Sequence, residues 1–425
     1  MLSLVQLAGY ALYCAMWPLI LGYRYDRDYV FAPWPLIAFG LLVLVTSLFM
    51  PRRADDPRGA FLYLASAFYF LPFMAMGAME ARPLSEGVMF TLSMGGIALI
   101  SRIPISIRPR PLFTLGHLVA LASALGLGLV LTFIYFVGLS VFNLDISRVY
   151  EFRGESYESI PLLARYVQML YLYFLAPVSC LIAFYRRWWI PAGVSLVLFV
   201  LVMGFSNVKF PFALLLFLFM FYFGRRNGAV FVSMMLLGLT ALLTLQQAVF
   251  LGQEAPLYDL LVRRGGITRA INTFAHFDVF TQLPFMWWRD SRLTFGLFEN
   301  TYGVTIPYIV GEYLGFESLA ANAGWVASGY AQGGLWGVGI YTLIVGLVLA
   351  AAQSLRSTAP VLAIGFGVLA GAMFSEADVT TGLLTGGVLP ALLLAWFTSE
   401  VRGPAGEAAR MAKTPRRLMP WERPA

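Results

Sequence analysis

Twelve mostly apolar stretches, each near the length of a membrane-crossing helix, constrain this chain more than any other feature. They cover 4–22, 31–50, 60–79, 87–105, 113–139, 162–185, 187–206, 208–224, 229–251, 324–352, 359–376 and 382–398. A helix needs about 20 predominantly apolar residues to cross the hydrocarbon of a bilayer. A barrel would need alternation with a period of two, which is missing. Composition agrees: 60% of the 425 residues are apolar and 12% are charged, whereas a soluble domain carries about 25% charge. The expectation is an all-α, polytopic integral membrane protein with about twelve transmembrane helices. It has a single transmembrane domain over 1–398 and a tail over 399–425 too poor in apolar residues to pack. The first run lacks the basic start and cleavage site of a signal peptide and is kept as a helix. The narrowest division is "NVK", between 187–206 and 208–224. Cys14 and Cys180 fall inside predicted spans and imply no disulfide or metal framework.

Lysine and arginine in the short loops set the orientation. With the N-terminus in the cytoplasm, the inner loops hold eleven: Arg52, Arg53, Arg58, Arg102, Arg108, Arg110, Arg186, Arg187, Arg225, Arg226 and Arg356. The tail adds six, so seventeen of the twenty-nine lie inside. Both termini are then cytoplasmic, and the basic tail lies near anionic lipid headgroups. The net charge of +7 is a topology signal. Its scatter among loops argues against a nucleic-acid partner.

The outer cations need another explanation. Loop 252–323 is about 70 residues long, and structureless loops beyond about 15 are uncommon and usually functional. It is rich in aromatic residues and is expected to fold into short helices at the headgroup level. Gly265 and Gly266 are expected to break a helical pattern and leave a helix start near Thr268, a ready anion site. Arg269, Thr273 and His276 then share one helix face, with Arg263 and Arg264 from the preceding turn. Arginine forks suit a lipid-linked diphosphate. The arginines could equally pair with the loop's own acids, among them Asp259, Asp278 and Asp290. Loop 140–161 adds Arg148, Arg153 and Glu155, whose neighbouring acids could neutralise the arginines. Arg165 lies one turn into the next span, where an ionisable group is functional by default. Lys209 opens a helix before Pro211. Both Arg165 and Lys209 could instead snorkel to the interface. His276, Asp278 and Glu155 are the candidate bases, with His276 first because a neutral imidazole suits proton abstraction at pH 7. No paired His or Cys ligands suggest a metal, and no cofactor is expected.

"GFSNVKFPFALLLFLFMFYFG" and "NAGWVASGYAQGGLWGVGIYTLIVGLVL" resemble two signatures of bacterial polysaccharide polymerases: a lysine opening a middle helix, and a tyrosine before a Gly-rich late helix. With the order of the arginine-bearing loops, residues 140–352 resemble the O-antigen polymerase (Wzy-type), or oligosaccharide repeat-unit polymerase, family. The resemblance implies a metal-independent glycosyltransferase of GT-C-like architecture, acting at the periplasmic face. It would move a growing glycan from undecaprenyl diphosphate onto a new lipid-linked repeat unit, with a chain-length-regulating membrane protein as a possible partner. It carries diphosphate-binding roles to Arg153, Arg263, Arg264 and Arg269, and motif positions to Lys209 and Tyr330. It does not fix the base.

An O-antigen ligase would share the architecture and differ in its acceptor. A flippase or transporter for the same lipid-linked glycan would place charge through the bilayer midplane and often show paired repeats, and neither is evident here. A peptidoglycan-type polymerase would carry an acidic outer-loop signature, also not evident.

Overall fold

The computed structural model describes residues 1–24, 31–107, 111–145, 159–208, 210–249, 256–291, 297–316 and 320–399. Its helices follow the apolar runs in order. First come α1 (Leu2–Arg24), α2 (Pro33–Phe49), α3 (Pro57–Met79), α4 (Leu84–Ile100), α5 (Leu115–Phe136), α6 (Leu162–Tyr185), α7 (Trp189–Ser206), α8 (Phe210–Gly224) and α9 (Gly228–Val249). A wide-turned segment, Asp259–Ile267, leads into α10 (Thr268–Gln282). Then follow α11 (Ile306–Tyr313), α12 (Trp325–Ala352), α13 (Pro360–Glu376), α14 (Val379–Leu384) and α15 (Val388–Trp396). Strand among the described residues is limited to one parallel pair, Phe113–Thr114 with Thr398–Ser399.

Among the described residues, seven helices are long and apolar enough to cross a membrane: α3, α5, α6, α7, α9, α12 and the continuous stretch Val379–Trp396. Shorter apolar helices (Leu2–Trp17 within α1, α2, α4, α8 and α13) coincide with the other five runs. The fold is therefore all-helical, with the architecture of a polytopic membrane protein. The "NVK" division holds. Asn207, buried and left-handed at φ 52°, ends α7, and α8 begins at Phe210.

The core centres on α3, which is buried on all sides, as expected for a helix apolar all round. Its neighbour α13 approaches through glycine. A Cβ on Gly367 would collide with the backbone of Pro57 and with Ala60, and Gly371 lies against Leu64 and Phe61. This is how small residues bring helices together where no hydrophobic force separates helix from lipid. Arg356 pairs with Asp55 at the end of the bundle where α3 starts. Arg82 marks the opposite end, where α3 has finished.

Proline shapes α3 and α6. Each widens by one residue just ahead of a proline: Ser66–Phe70 before Pro72, and Tyr171–Leu175 before Pro177. In α3 the Leu71 amide bonds back to Ser66, and Pro72 has no N–H. The Ala67 carbonyl thus loses its helical donor. The Tyr13 hydroxyl supplies the replacement at 2.8 Å. Beside it, the Ser66 hydroxyl donates to Gln6 Oε1 at 2.6 Å.

The third wide turn corrects an expectation. Gly265 and Gly266 do not break the helix. The Thr268 amide bonds to the Arg263 carbonyl, and Ile267 is itself helical at φ −66°, ψ −48°. The first-turn amides of α10 are engaged within the chain, so no open helix N-terminus awaits an anion there. The glycines serve packing instead: a Cβ on Gly266 would lie 3.1 Å from Pro72 and 3.4 Å from the Tyr13 hydroxyl.

The Gly-rich run also differs from expectation. It is predicted as one span, yet Gly333 (φ −165°, ψ 33°) and Gly334 (φ 58°, ψ −138°) leave helical geometry. Trp325 Nε1 donates to Ser93 at 2.8 Å, and Ser93 also bonds Thr342 at 2.6 Å. An unbroken helix would set residues 325 and 342 about 25 Å apart. Gly329 and Gly337 meet so closely that a Cβ on Gly337 would collide with the Gly329 carbonyl. α12 is therefore a helical hairpin: a short limb, 325–332, folds back at the glycine pair onto a long limb, 335–352. Gly334 occupies the left-handed region that only glycine adopts freely.

Candidate functional site

A cavity of about 560 Å³ opens between α6, α10, the hairpin tip and the Ala377–Thr385 segment. It lies at the end of the bundle away from Arg356. α6 contributes Leu162, Arg165, Tyr166 and Met169, one face of a helix at i, i+3, i+4 and i+7. The other walls bring His276, Gln332, Asp290 and Asp378, with the amide of Asn322 and the hydroxyls of Ser291, Thr380, Thr381 and Thr385. α11 covers one side with Ile306, Pro307 and Tyr308.

His276 and Arg165 are the predicted site residues that face this space. His276 is 1% exposed, and its Nδ1 lies 2.7 Å from the Asn272 carbonyl. A carbonyl only accepts, so Nδ1 carries the proton and Nε2 is left as an acceptor. Burial pulls the imidazole down from its ordinary value to about 4, so the ring is neutral at pH 7. Arg165 is half-buried, and its Nε donates to the Ile160 carbonyl at 3.1 Å.

Arg263, Arg264 and Arg269 do not gather at this cavity. Arg263 and Arg264 both bond Asp259, with Arg263 Nη2 at 2.7 Å from Oδ2 and Arg264 Nε at 3.1 Å. Arg269 is almost fully buried, pairs with Glu376 at 3.0 Å and lies over the Phe210 ring at 5.4 Å. None of the three lines the cavity. The expected single cationic pocket is corrected on this point: each guanidinium has a carboxylate, two of them the same one. Asp278, a candidate base, is held by Arg82 through both oxygens, at 2.5 and 3.2 Å. Tyr330 packs on Phe277 and Phe285, with its hydroxyl 3.4 Å from Thr281. Arg153, Glu155 and Lys209 lie outside the described residues.

The carboxylates that do reach the cavity, Asp290 and Asp378, were not expected as site residues. Asp378 caps α14. Its Oδ1 accepts from the Thr380 amide at 2.8 Å, the Thr380 hydroxyl at 2.5 Å and the Thr381 amide at 3.4 Å. Its Oδ2 accepts from the Tyr341 hydroxyl at 2.5 Å, which in turn accepts from Trp288 Nε1 at 2.9 Å. Burial raises the Asp378 carboxyl above the usual range, its hydrogen bonds oppose this, and the nearby charge of Asp290 adds to the rise. Asp290 Oδ1 accepts from Gln332 Nε2 at 2.9 Å, and Oδ2 from the Ile306 amide at 3.3 Å. Neither carboxylate forms an ion pair among the described residues. One local signal was available: an aspartate with threonines two and three residues on, ahead of an apolar run, the N-cap pattern of Asp378.

Among the described residues, no cluster of three or more His, Cys, Asp or Glu could hold a metal ion. The site can do proton chemistry with carboxylates and a neutral imidazole, and it presents alcohols and amides suited to a polyhydroxylated ligand. Fold and site together define a class, the polytopic helical membrane protein with a cavity at one end of its bundle that sets polar groups into a largely apolar lining. The chain matches no protein-family model, and comparison with curated proteins and with solved structures finds no match.

Proposed function

We propose that the protein is a membrane glycosyltransferase that polymerises undecaprenyl-diphosphate-linked oligosaccharide units at the periplasmic face of a bacterial inner membrane. In this reading all twelve apolar helices cross, in a GT-C-like arrangement with both termini in the cytoplasm. The observation that carries it is the composition of the cavity. Arg165, a neutral His276 and two carboxylates that form no ion pair among the described residues share a largely apolar cavity with amide and alcohol groups, set into a bundle of apolar helices. An isoprenoid chain suits the apolar helix faces, sugar hydroxyls suit the amide and alcohol lining, and Arg165 suits a diphosphate. Arg153 and Lys209 are offered as its partners. Arg263, Arg264 and Arg269 instead support the fold around the site.

The test is reconstitution of the purified protein in vesicles with an undecaprenyl-diphosphate-linked oligosaccharide. A ladder of products separated by one repeat unit supports the polymerase. Transfer only to an added lipid A core acceptor would make it a ligase. A second reading, a transporter of the same lipid, is favoured by the broken helix at Gly333–Gly334, a feature of transporter binding sites. Movement of labelled lipid across the vesicle without chain growth would select it.

A further inference from the structure

We infer that Asp290 is the general base of this site, held for that task by Gln332 at the tip of the folded-back helix. The inference rests on the glycosyl-transfer reading. In the step, the acceptor sugar's hydroxyl proton moves to Asp290, and the hydroxyl oxygen bonds the anomeric carbon. The bond from that carbon to the donor diphosphate breaks, and its electron pair leaves on the diphosphate oxygen.

Counting acceptor sites separates the two aspartates. An ionised carboxylate offers about four lone-pair positions. Asp378 receives four donors: the Thr380 amide and hydroxyl, the Thr381 amide and the Tyr341 hydroxyl. It has none to spare and acts as a fixed negative charge. Asp290 receives two, both neutral N–H groups, one at the long distance of 3.3 Å. It borders the cavity, is half-buried, and forms no ion pair among the described residues. His276 also presents an acceptor, but its ring is 1% exposed and already neutral through burial. Gaining a proton there would place an unpaired cation in the core.

Gln332 explains how Asp290 keeps its aim. The Gln332 side chain is 2% exposed. Its Oε1 accepts the Trp288 amide at 2.5 Å, so Nε2 is the end that reaches Asp290. Its backbone carbonyl accepts the Trp287 amide at 2.8 Å, and the preceding Ala331 carbonyl accepts the Met286 amide at 3.0 Å. These carbonyls are free because the helix reverses one residue later. The reversal therefore pins segment 286–290 to the hairpin tip and sets the carboxylate at the cavity wall. Gln332 is a positioning residue.

The experiment uses the full-length protein in vesicles with the same lipid-linked oligosaccharide, over a range of pH. Asp290→Asn lowers kcat by about 10²–10⁴-fold, leaves KM within a few-fold, and removes the acid limb of the pH–rate profile. Asp290→Glu recovers part of the rate. Gln332→Met lowers kcat by roughly tenfold and displaces the acid limb, with binding of the lipid-linked donor unchanged. An Asp290→Asn protein that turns over at the wild-type rate, or keeps the acid limb, overturns the assignment while leaving glycosyl transfer in place. A wild-type protein that extends no donor overturns the reading and the base together. Should Asp290→Asn fail to fold, Gln332→Met decides, and an unaltered rate and pH profile there overturns the assignment.

Discussion

Acidification should draw a distinct loss of stability from one residue, His276. Its folded value is near 4, against about 6.5 in an unfolded chain. Between those values the unfolded chain binds a proton that the folded protein refuses, so stability rises with pH through this window and falls as pH drops from 6.5 toward 4. From pH 7 to pH 5 only the lower 1.5 pH units or so of that range count. At 1.36 kcal/mol per unit, the loss is about 2 kcal/mol. With an unfolding entropy near 2.1 cal/mol/K per residue, a chain of this size loses roughly 2 °C in its midpoint. Other groups titrate over the same range, so the measurement is a difference. Thermal midpoints of wild type and His276→Gln are followed in detergent at pH 7 and pH 5. The wild-type midpoint should fall about 2 °C further than the variant's. Parallel falls would mean that the ring is not held neutral by burial, and the placement of His276 would be wrong.

Two pairs of variants test the packing. Gly337→Ala forces a methyl into the Gly329 carbonyl and should cost about 2 kcal/mol or more, whereas Gly339→Ala, which meets nothing within 4 Å, should be close to neutral by the same melting assay. Tyr13→Phe leaves the Ala67 carbonyl without a donor in the core and should cost about 1–3 kcal/mol, while the double variant Tyr13→Phe with Pro72→Ala should recover part of that loss by restoring a helical amide.

Apolar periodicity located the helices because burial in lipid or protein demands it over some twenty residues at a stretch. It could not detect the reversal at Gly333–Gly334, since both limbs of the hairpin are apolar and a glycine pair inside such a run also fits close helix packing. The wide turns escaped notice for a related reason: Pro72 and Pro177 announce a disturbance, and only the tertiary partner, such as the Tyr13 hydroxyl, decides what form it takes. At the site, the positive charges were visible and their partners were not. Glu376 lies 107 residues beyond Arg269, and Asp278 lies 196 beyond Arg82. Pairings at that separation are set by topology, which local pattern does not carry. Asp290 is a possible partner for the loop's arginines by sequence, whereas its contacts in the fold are Gln332 and the Ile306 amide.

The glycine reversal also resolves a mismatch of length. As one rod, the 28 residues of Trp325–Ala352 would measure about 42 Å, well beyond the roughly 30 Å of a bilayer's hydrocarbon. Such a rod would have to tilt steeply or thicken the surrounding lipid. Folded back, the limb from 335 to 352 measures about 27 Å and can stand nearly upright. The surplus residues are spent inside the protein, where they carry Gln332 to the cavity wall.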